Sequence, residues 1–350
     1  MPFISLLKAL LSRKNPVYAH YGITHRCNLQ CKMCFLWQKP GPEIPLEQIR
    51  VLALNLGKLG LHAISLGGGE PALREDLPEI FLAFQKQKIN VRILTNGVLE
   101  SQQPWERMFH SGLRDVSVSL DSPNPQTVDE ICRREGAFSR VMESLEFFGY
   151  NLKRNRGLGL INTVVSRLNY RQLPELARLA GKSGFYLSLV PLEIQEFGGE
   201  TLGCRDKMAE MLFTPEETKE LGDVYRELLA IKAQGGKIFN SAAFLQLCRK
   251  NAGAKNRPFW PCLAGRLYFS LDPQGNFSIC HRYKGYQVEP QTIPAYAPEF
   301  PALFKNSEYY KIASETAEGC PGCLRPCWAE VSLAFSHPQA FLERVFGALR

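Results

Sequence analysis

The chain has 350 residues, 45% of them hydrophobic, long enough to bury a large core, and no apolar run of about 20 residues that would span a membrane. Its formal net charge of +8 is scattered rather than gathered into an aromatic-interleaved basic run, which argues against nucleic acid as a partner. Eleven cysteines in a chain of this length, behind a start without a cleavable signal pattern, exclude a small disulfide-scaffolded secreted domain and point to a reducing, cytoplasmic compartment.

In chain order, Pro2 to Lys14 places Phe3, Ile4, Leu6, Leu7, Leu10 and Leu11 at helical spacing beside Lys8, Arg13 and Lys14. It is either a helix packed on the body of the protein or a basic amphipathic helix lying on a membrane surface. Strands are expected at Val17–Thr24, Ala63–Leu66, Val91–Thr95, Val116–Leu120, Leu160–Val165 and Tyr186–Val190. Helices are expected at Leu46–Leu59, Leu77–Gln87, Trp105–His110, Phe138–Phe148 and Leu173–Ala180. This alternation implies a parallel sheet covered by helices, with chemistry on the loops after the strands.

The pattern then breaks at a glycine-rich loop, Phe197 to Cys204, and a capped helix starts at Thr214-Pro215 and runs toward Lys232. Leu267–Leu271 and Asn276–Ile279 flank Asp272-Pro273-Gln274-Gly275, a hairpin signal. The last stretch, Phe341 to Arg350, has the amphipathic character of the first, so peripheral contact with the inner face of the membrane is worth testing.

Eight cysteines fall in two groups: Cys27, Cys31 and Cys34, then Cys262, Cys280, Cys320, Cys323 and Cys327. Cys132, Cys204 and Cys248 are isolated and read as small buried hydrophobes. Three cysteines at CxxxCxxC spacing turn three thiolates onto three corners of a cubane that normally takes four, leaving one iron open; zinc is the plain alternative. After the second strand comes Gly67-Gly68-Gly69-Glu70-Pro71, whose glycines permit close backbone approach and whose carboxylate can accept from an ammonium. Thr95-Asn96-Gly97 and Ser117-Val118-Ser119-Leu120-Asp121 end strands three and four, where a turn and a helix cap are the plain alternatives; Asn162 is a polar residue in an apolar strand.

The loop Cys27-Asn-Leu-Gln-Cys31-Lys-Met-Cys34, followed downstream by Gly-Gly-Glu, resembles the radical S-adenosylmethionine (radical SAM) enzymes over about Val17 to Pro191. The resemblance implies a partial barrel of six β/α units and a 4Fe-4S cluster on Cys27, Cys31 and Cys34. Its open iron chelates SAM, and reductive cleavage gives a 5'-deoxyadenosyl radical that attacks an unactivated carbon. It implies that Gly68, Gly69 and Glu70 hold the SAM amino group, that Asn96, Ser119 and Asn162 are further SAM contacts, and that Asp121 faces substrate or supports the site. It also implies a flavodoxin- or ferredoxin-like electron donor.

The second group resembles the SPASM or shorter twitch extension. Cys262 and Cys280 match Cys-x(9-15)-Gly-x(4)-Cys through Gly275, but Cys320, Cys323 and Cys327 form a shortened CxxCx(3)C with no later cysteine. Five cysteines cannot fully ligate two clusters, so one auxiliary 4Fe-4S cluster is expected on Cys262, Cys280 and Cys327 with Cys320 or Cys323; structural zinc is the alternative.

The expected fold class is therefore α/β, a partial (β/α)6 TIM-like barrel followed by a small cysteine-rich α+β extension. The expected divisions are an amphipathic helix at 1–16, the barrel at 17–195, a bridging helical region at 196–257, the auxiliary-cluster region at 258–335 and a terminal helix at 336–350. The substrate is either a ribosomally made peptide or a lipid, tetrapyrrole or other small metabolite. Only 26 residues precede Cys27, which leaves no room there for a peptide-recognition domain. A non-catalytic, metal-stabilised binding protein on the same fold is the remaining alternative.

Overall fold

A computed structural model describes residues 16–38, 41–192, 205–252, 260–280, 293–320 and 322–348. The expected helix at Pro2–Lys14 and the loop Phe197–Cys204 lie outside the described residues.

The six expected β/α units are present. Strands β1 (Tyr18–Thr24), β2 (Ala63–Gly68), β3 (Asn90–Thr95), β4 (Asp115–Ser119), β5 (Leu158–Val165) and β6 (Tyr186–Pro191) pair in parallel, each with the next. Helices α1 (Leu46–Lys58), α2 (Leu77–Lys86), α3 (Gln103–His110), α4 (Pro125–Cys132), α5 (Ala137–Arg154) and α6 (Leu173–Lys182) follow the strands or lie between them. Among the described residues, no helix is long and apolar enough to cross a membrane.

Strand alternation sorts side chains between the helix layer and the barrel lumen. Tyr21 meets Phe84 of α2 with ring centroids 6.4 Å apart, so the odd positions of β1 face the helices. Ile64, Leu66, Ile93, Val116, Val118, Ile161, Leu187 and Leu189 are fully buried. The alternate positions Tyr18, His20, Ser65, Arg92, Ser117, Asn162 and Ser188 point inward beside Leu94, Leu160 and Val190, so the lumen is lined by more polar than apolar side chains.

Helix α4 was not apparent in the sequence, and local chemistry explains it. Asn124 Oδ1 accepts from Thr127 N–H at 3.0 Å, Pro125 opens the first turn, and Arg133 stops the helix at φ +52°. The helix expected from Thr214 is α7 (Pro215–Ala233), closed by a capping box in which Thr214 N–H donates to Glu217 Oε2 at 2.9 Å. Next comes α8 (Ala242–Lys250).

The extension continues the barrel sheet. Strand β7 (Tyr268–Leu271) pairs in parallel with β1, and β8 (Phe277–Ser278) closes an antiparallel hairpin on it. The turn forms as the sequence indicates: Asp272 Oδ1 accepts from the N–H groups of Gln274 and Asn276, both at 2.9 Å, and Gly275 takes φ +73°. Helices α9 (Phe300–Leu303), α10 (Ser307–Glu318), α11 (Pro326–Ser336) and α12 (Pro338–Ala348) complete the chain.

Candidate active site

Strand β1 delivers the first cysteine group. Past Thr24 the chain leaves the sheet, and Cys34 N–H donates to Cys31 O at 3.0 Å, folding the CxxC portion into a turn. Lys32 N–H donates to Ile131 O at 2.9 Å, and its ammonium pairs with Glu130 at 2.7 Å and Glu210 at 3.1 Å, docking the loop on the end of α4. All three cysteines are half-buried. Burial pushes the Cys27 thiol up to about 11 and raises Cys34 as well, so protons stay on these sulfurs until a metal displaces them.

Cys31 has an unexpected neighbour. The nearby Cys132 thiol, with burial, raises the Cys31 thiol strongly. Cys132 is half-buried on the last residue of α4 rather than isolated in the core. Cys248 does behave as a buried hydrophobe, at 1% exposure.

The glycine turn after β2 clasps the cysteine loop, backbone against backbone. Gly69 N–H donates to Thr24 O at 2.7 Å, and Glu70 N–H to Arg26 O at 2.8 Å. A Cβ on Gly68 would fall 2.1 Å from Thr24 O, and one on Gly69 2.1 Å from Arg26 O, while Gly68 also takes φ +114°. Both positions therefore need glycine for the two loops to meet at all.

Glu70 is fully buried. Its carboxylate accepts from Thr95 Oγ1 at 3.0 and 3.1 Å, Ala72 N–H at 3.1 Å and Asn96 N–H at 2.7 Å. Burial pushes its carboxyl up to about 7 against these donors, none of which carries charge. The Asn96 amide reaches the cysteine loop: Nδ2 donates to Asn28 Oδ1 at 2.8 Å and lies 3.8 Å from Cys27 Sγ. Asn28, which the sequence did not single out, donates in turn to Val98 O.

An ion-pair network braces the same loop from outside. Arg26 makes a two-pronged contact with Glu43 at 2.9 and 3.1 Å. Arg74, 6% exposed, donates to Asp76 at 2.8 and 2.7 Å, to Ile23 O at 3.1 Å and to Ile44 O at 3.3 Å. Asp76 is a local partner two residues on, but Glu43, Ile23 O and Ile44 O reach these arginines only through the fold.

At the barrel mouth Ser119 and Asn162 stand opposite each other on β4 and β5, exposed and half-buried. Asp121, just beyond, is 9% exposed and accepts from Val164 N–H at 2.7 Å; burial pushes its carboxyl up to about 7. Its charge bears on Cys31.

The second cysteine group gathers around Tyr268 of β7. The Cys262 thiol lies 3.0 Å from the Tyr268 hydroxyl, and Cys280 and Cys323 are close enough to act on that hydroxyl electrostatically. Cys320 acts on Cys262 in the same way. Trp260 Nε1 donates to Cys323 O at 2.7 Å. Cys327 is exposed and acts on Tyr18 of β1, which faces the lumen. Among the described residues, no three His, Cys, Asp or Glu side chains as placed enclose a single metal ion. In donor type both groups suit an iron-sulfur cluster: sulfur ligands in partly desolvated surroundings, with none of the ten described cysteines in a disulfide.

Residues 21–180 match the radical SAM superfamily. That stretch of the chain belongs to the radical SAM superfamily. The mycofactocin maturase MftC of Mycolicibacterium smegmatis is 27% identical to this radical SAM protein over 269 residues, which is 76% of this chain and 64% of the relative's length. The AdoMet-dependent heme synthase of Oleidesulfovibrio alaskensis is 23% identical over 300 residues, 83% of this chain and 75% of that one. Among solved structures, Streptococcus suis SuiB bound to S-adenosylmethionine shares the fold, with a TM-score of 0.66 at 16% identity, over 89% of this chain and 71% of that chain.

Proposed function

We propose that this protein is a radical SAM enzyme that modifies a peptide substrate. Cys27, Cys31 and Cys34 would hold a 4Fe-4S cluster, and Gly68, Gly69, Glu70, Asn96, Ser119 and Asn162 would form the SAM site around it. When bound and reduced, that pair supplies a 5'-deoxyadenosyl radical able to take hydrogen from an unactivated carbon.

The observation that carries the reading is Glu70. A fully buried carboxylate beside the cysteine loop, with only neutral donors around it, suits an incoming ammonium such as the amino group of SAM. Gly68 and Gly69 fix the approach of the two loops, and Asn96 ties Cys27 and Glu70 into one unit. The polar lumen below would receive the substrate, and the helix layer would keep bulk water from it.

Four of Cys262, Cys280, Cys320, Cys323 and Cys327 would hold an auxiliary 4Fe-4S cluster. A flavodoxin- or ferredoxin-like protein in a reducing cytoplasm would supply electrons. The peptide class is supported by the maturase MftC and by the structure of SuiB bound to its precursor peptide SuiA. A tetrapyrrole is the second reading, favoured by the heme synthase, which aligns over a larger share of the chain.

Anaerobically reconstituted protein given SAM and dithionite should release 5'-deoxyadenosine and methionine in equal amounts. Reduced, iron-loaded protein that leaves SAM intact would instead support a non-catalytic binding protein.

A further inference from the structure

The lumen wall carries a cation that the fold does not fully satisfy. Arg92 lies on β3 in register with Ser65 of β2 and Asp115 of β4, all on the inward face. Its guanidinium stands 5.3 Å from the centroid of the ring of Phe239, a residue whose N–H donates to Leu187 O of β6 at 2.7 Å. Its ion pair with Asp115 is long, at 3.9 Å, and its Nε is buried with no acceptor, although 25% of the side chain remains exposed. A buried N–H without an acceptor costs about 1–3 kcal/mol. A ring face imposes no in-plane orientation on a guanidinium, so a small rotation can present Nε to an entering acceptor.

Neutral donors line the wall beside it. The Tyr18 hydroxyl lies 2.6 Å from Ser65 Oγ, and His20 Nδ1 lies 2.9 Å from the same oxygen. Burial, then the charge of Arg325, holds His20 neutral, and burial raises the carboxyl of Asp115. Of the charged side chains named here, Arg92 and Arg325 stand against Asp115, a positive balance. A planar anion with two oxygens fits this wall, because Nε and a terminal nitrogen of arginine match a carboxylate edge.

We propose that Arg92, assisted by Tyr18, Ser65 and His20, forms a subsite for a carboxylate of the substrate. The inference rests on the reading of the barrel as the substrate lumen. Arg92 precedes Asn96 by four strand positions, about 13 Å at about 3.3 Å per residue. The substrate then enters carboxylate first, and the attacked carbon lies between Arg92 and the Cys27 end of the barrel. A peptide's C-terminal or side-chain carboxylate and a tetrapyrrole propionate share this chemistry.

The test is arginine labelling of the reconstituted holoprotein with SAM, using phenylglyoxal, with Arg92 and the exposed Arg50 quantified by mass spectrometry. Propionate should slow labelling of Arg92 about tenfold at saturation, propionamide should not, and Arg50 should be unaffected by either. Tyr18→Phe should raise the propionate concentration needed. Equal protection by acid and amide, no protection by either, or an Arg92 that reagent never reaches would overturn the subsite. Repeating the assay with coproporphyrin III against its tetramethyl ester, and with a pentapeptide pool as free acids against amides, shows which source binds at lower concentration. SAM cleavage measured on the same preparation separates the two readings: cleavage without protection removes the subsite alone, and protection without cleavage removes the radical chemistry alone.

Discussion

Glu70 shows how much one residue does at this site. Its carboxylate orders Thr95, Asn96 and Ala72 and leaves its charge uncompensated by any cation among the described residues. Glu70→Gln keeps the shape and removes the charge, so SAM affinity should fall about tenfold to a hundredfold while bound iron is unchanged, as measured by equilibrium dialysis and iron assay. Loss of iron in that variant would mean that Glu70 supports the cluster loop instead. Arg74 is the corresponding residue on the outside. Its hydrogen bonds hold the Asp76 carboxyl below the usual carboxylate range, and Glu43, although burial raises it, is lowered further by Arg26 and Thr24. A depressed carboxylate pKa gives stability that is present above the ordinary value near 4 and lost as pH falls through the folded-state value. The melting temperature should therefore drop between about pH 5 and pH 3, and Arg74→Met should flatten that drop while costing roughly 2–4 kcal/mol at neutral pH, read by thermal melts. The glycines and Glu70 were legible because their residue types are demanding. Asn28 and Cys132 were not, since each acts through a partner distant in sequence, and neither were the contacts of Arg74 with Ile23 O and Ile44 O.

At the scale of elements, periodicity exposed the six β/α units and the hairpin turn, because apolar alternation and Asp-Pro-Gln-Gly report on local structure. It did not reveal that β7 joins β1 in parallel, since the choice of a partner strand 250 residues away leaves no local mark. That pairing makes the extension part of the barrel: Val17 N–H donates to Leu267 O at 2.7 Å, and Asn55 of α1 donates to Ala295 O and Ala297 O at 3.0 and 2.9 Å. A chain ended before Trp260 loses the cover over the β1 edge and should aggregate or lose its cooperative unfolding transition, as followed by circular dichroism. A truncated chain that melts within a few degrees of the parent would show the barrel to be self-sufficient.

Across the whole molecule, the first cysteine group follows the end of β1 and the second gathers at Tyr268 of β7, which pairs with Tyr18 at the start of β1. The first sits on the loop after β1 with the Gly-Gly-Glu turn locked onto it; the second gathers at β7, and Cys327 reaches toward Tyr18 within the barrel. This arrangement would give the two proposed clusters distinct places and make them separable by mutation. The most direct measurement is iron, sulfide and zinc in anaerobically prepared protein beside a variant with Cys27, Cys31 and Cys34 all changed to alanine. About eight irons in the parent and about four in the variant are expected, since each cubane carries four. Zinc alone in both preparations would contradict the account.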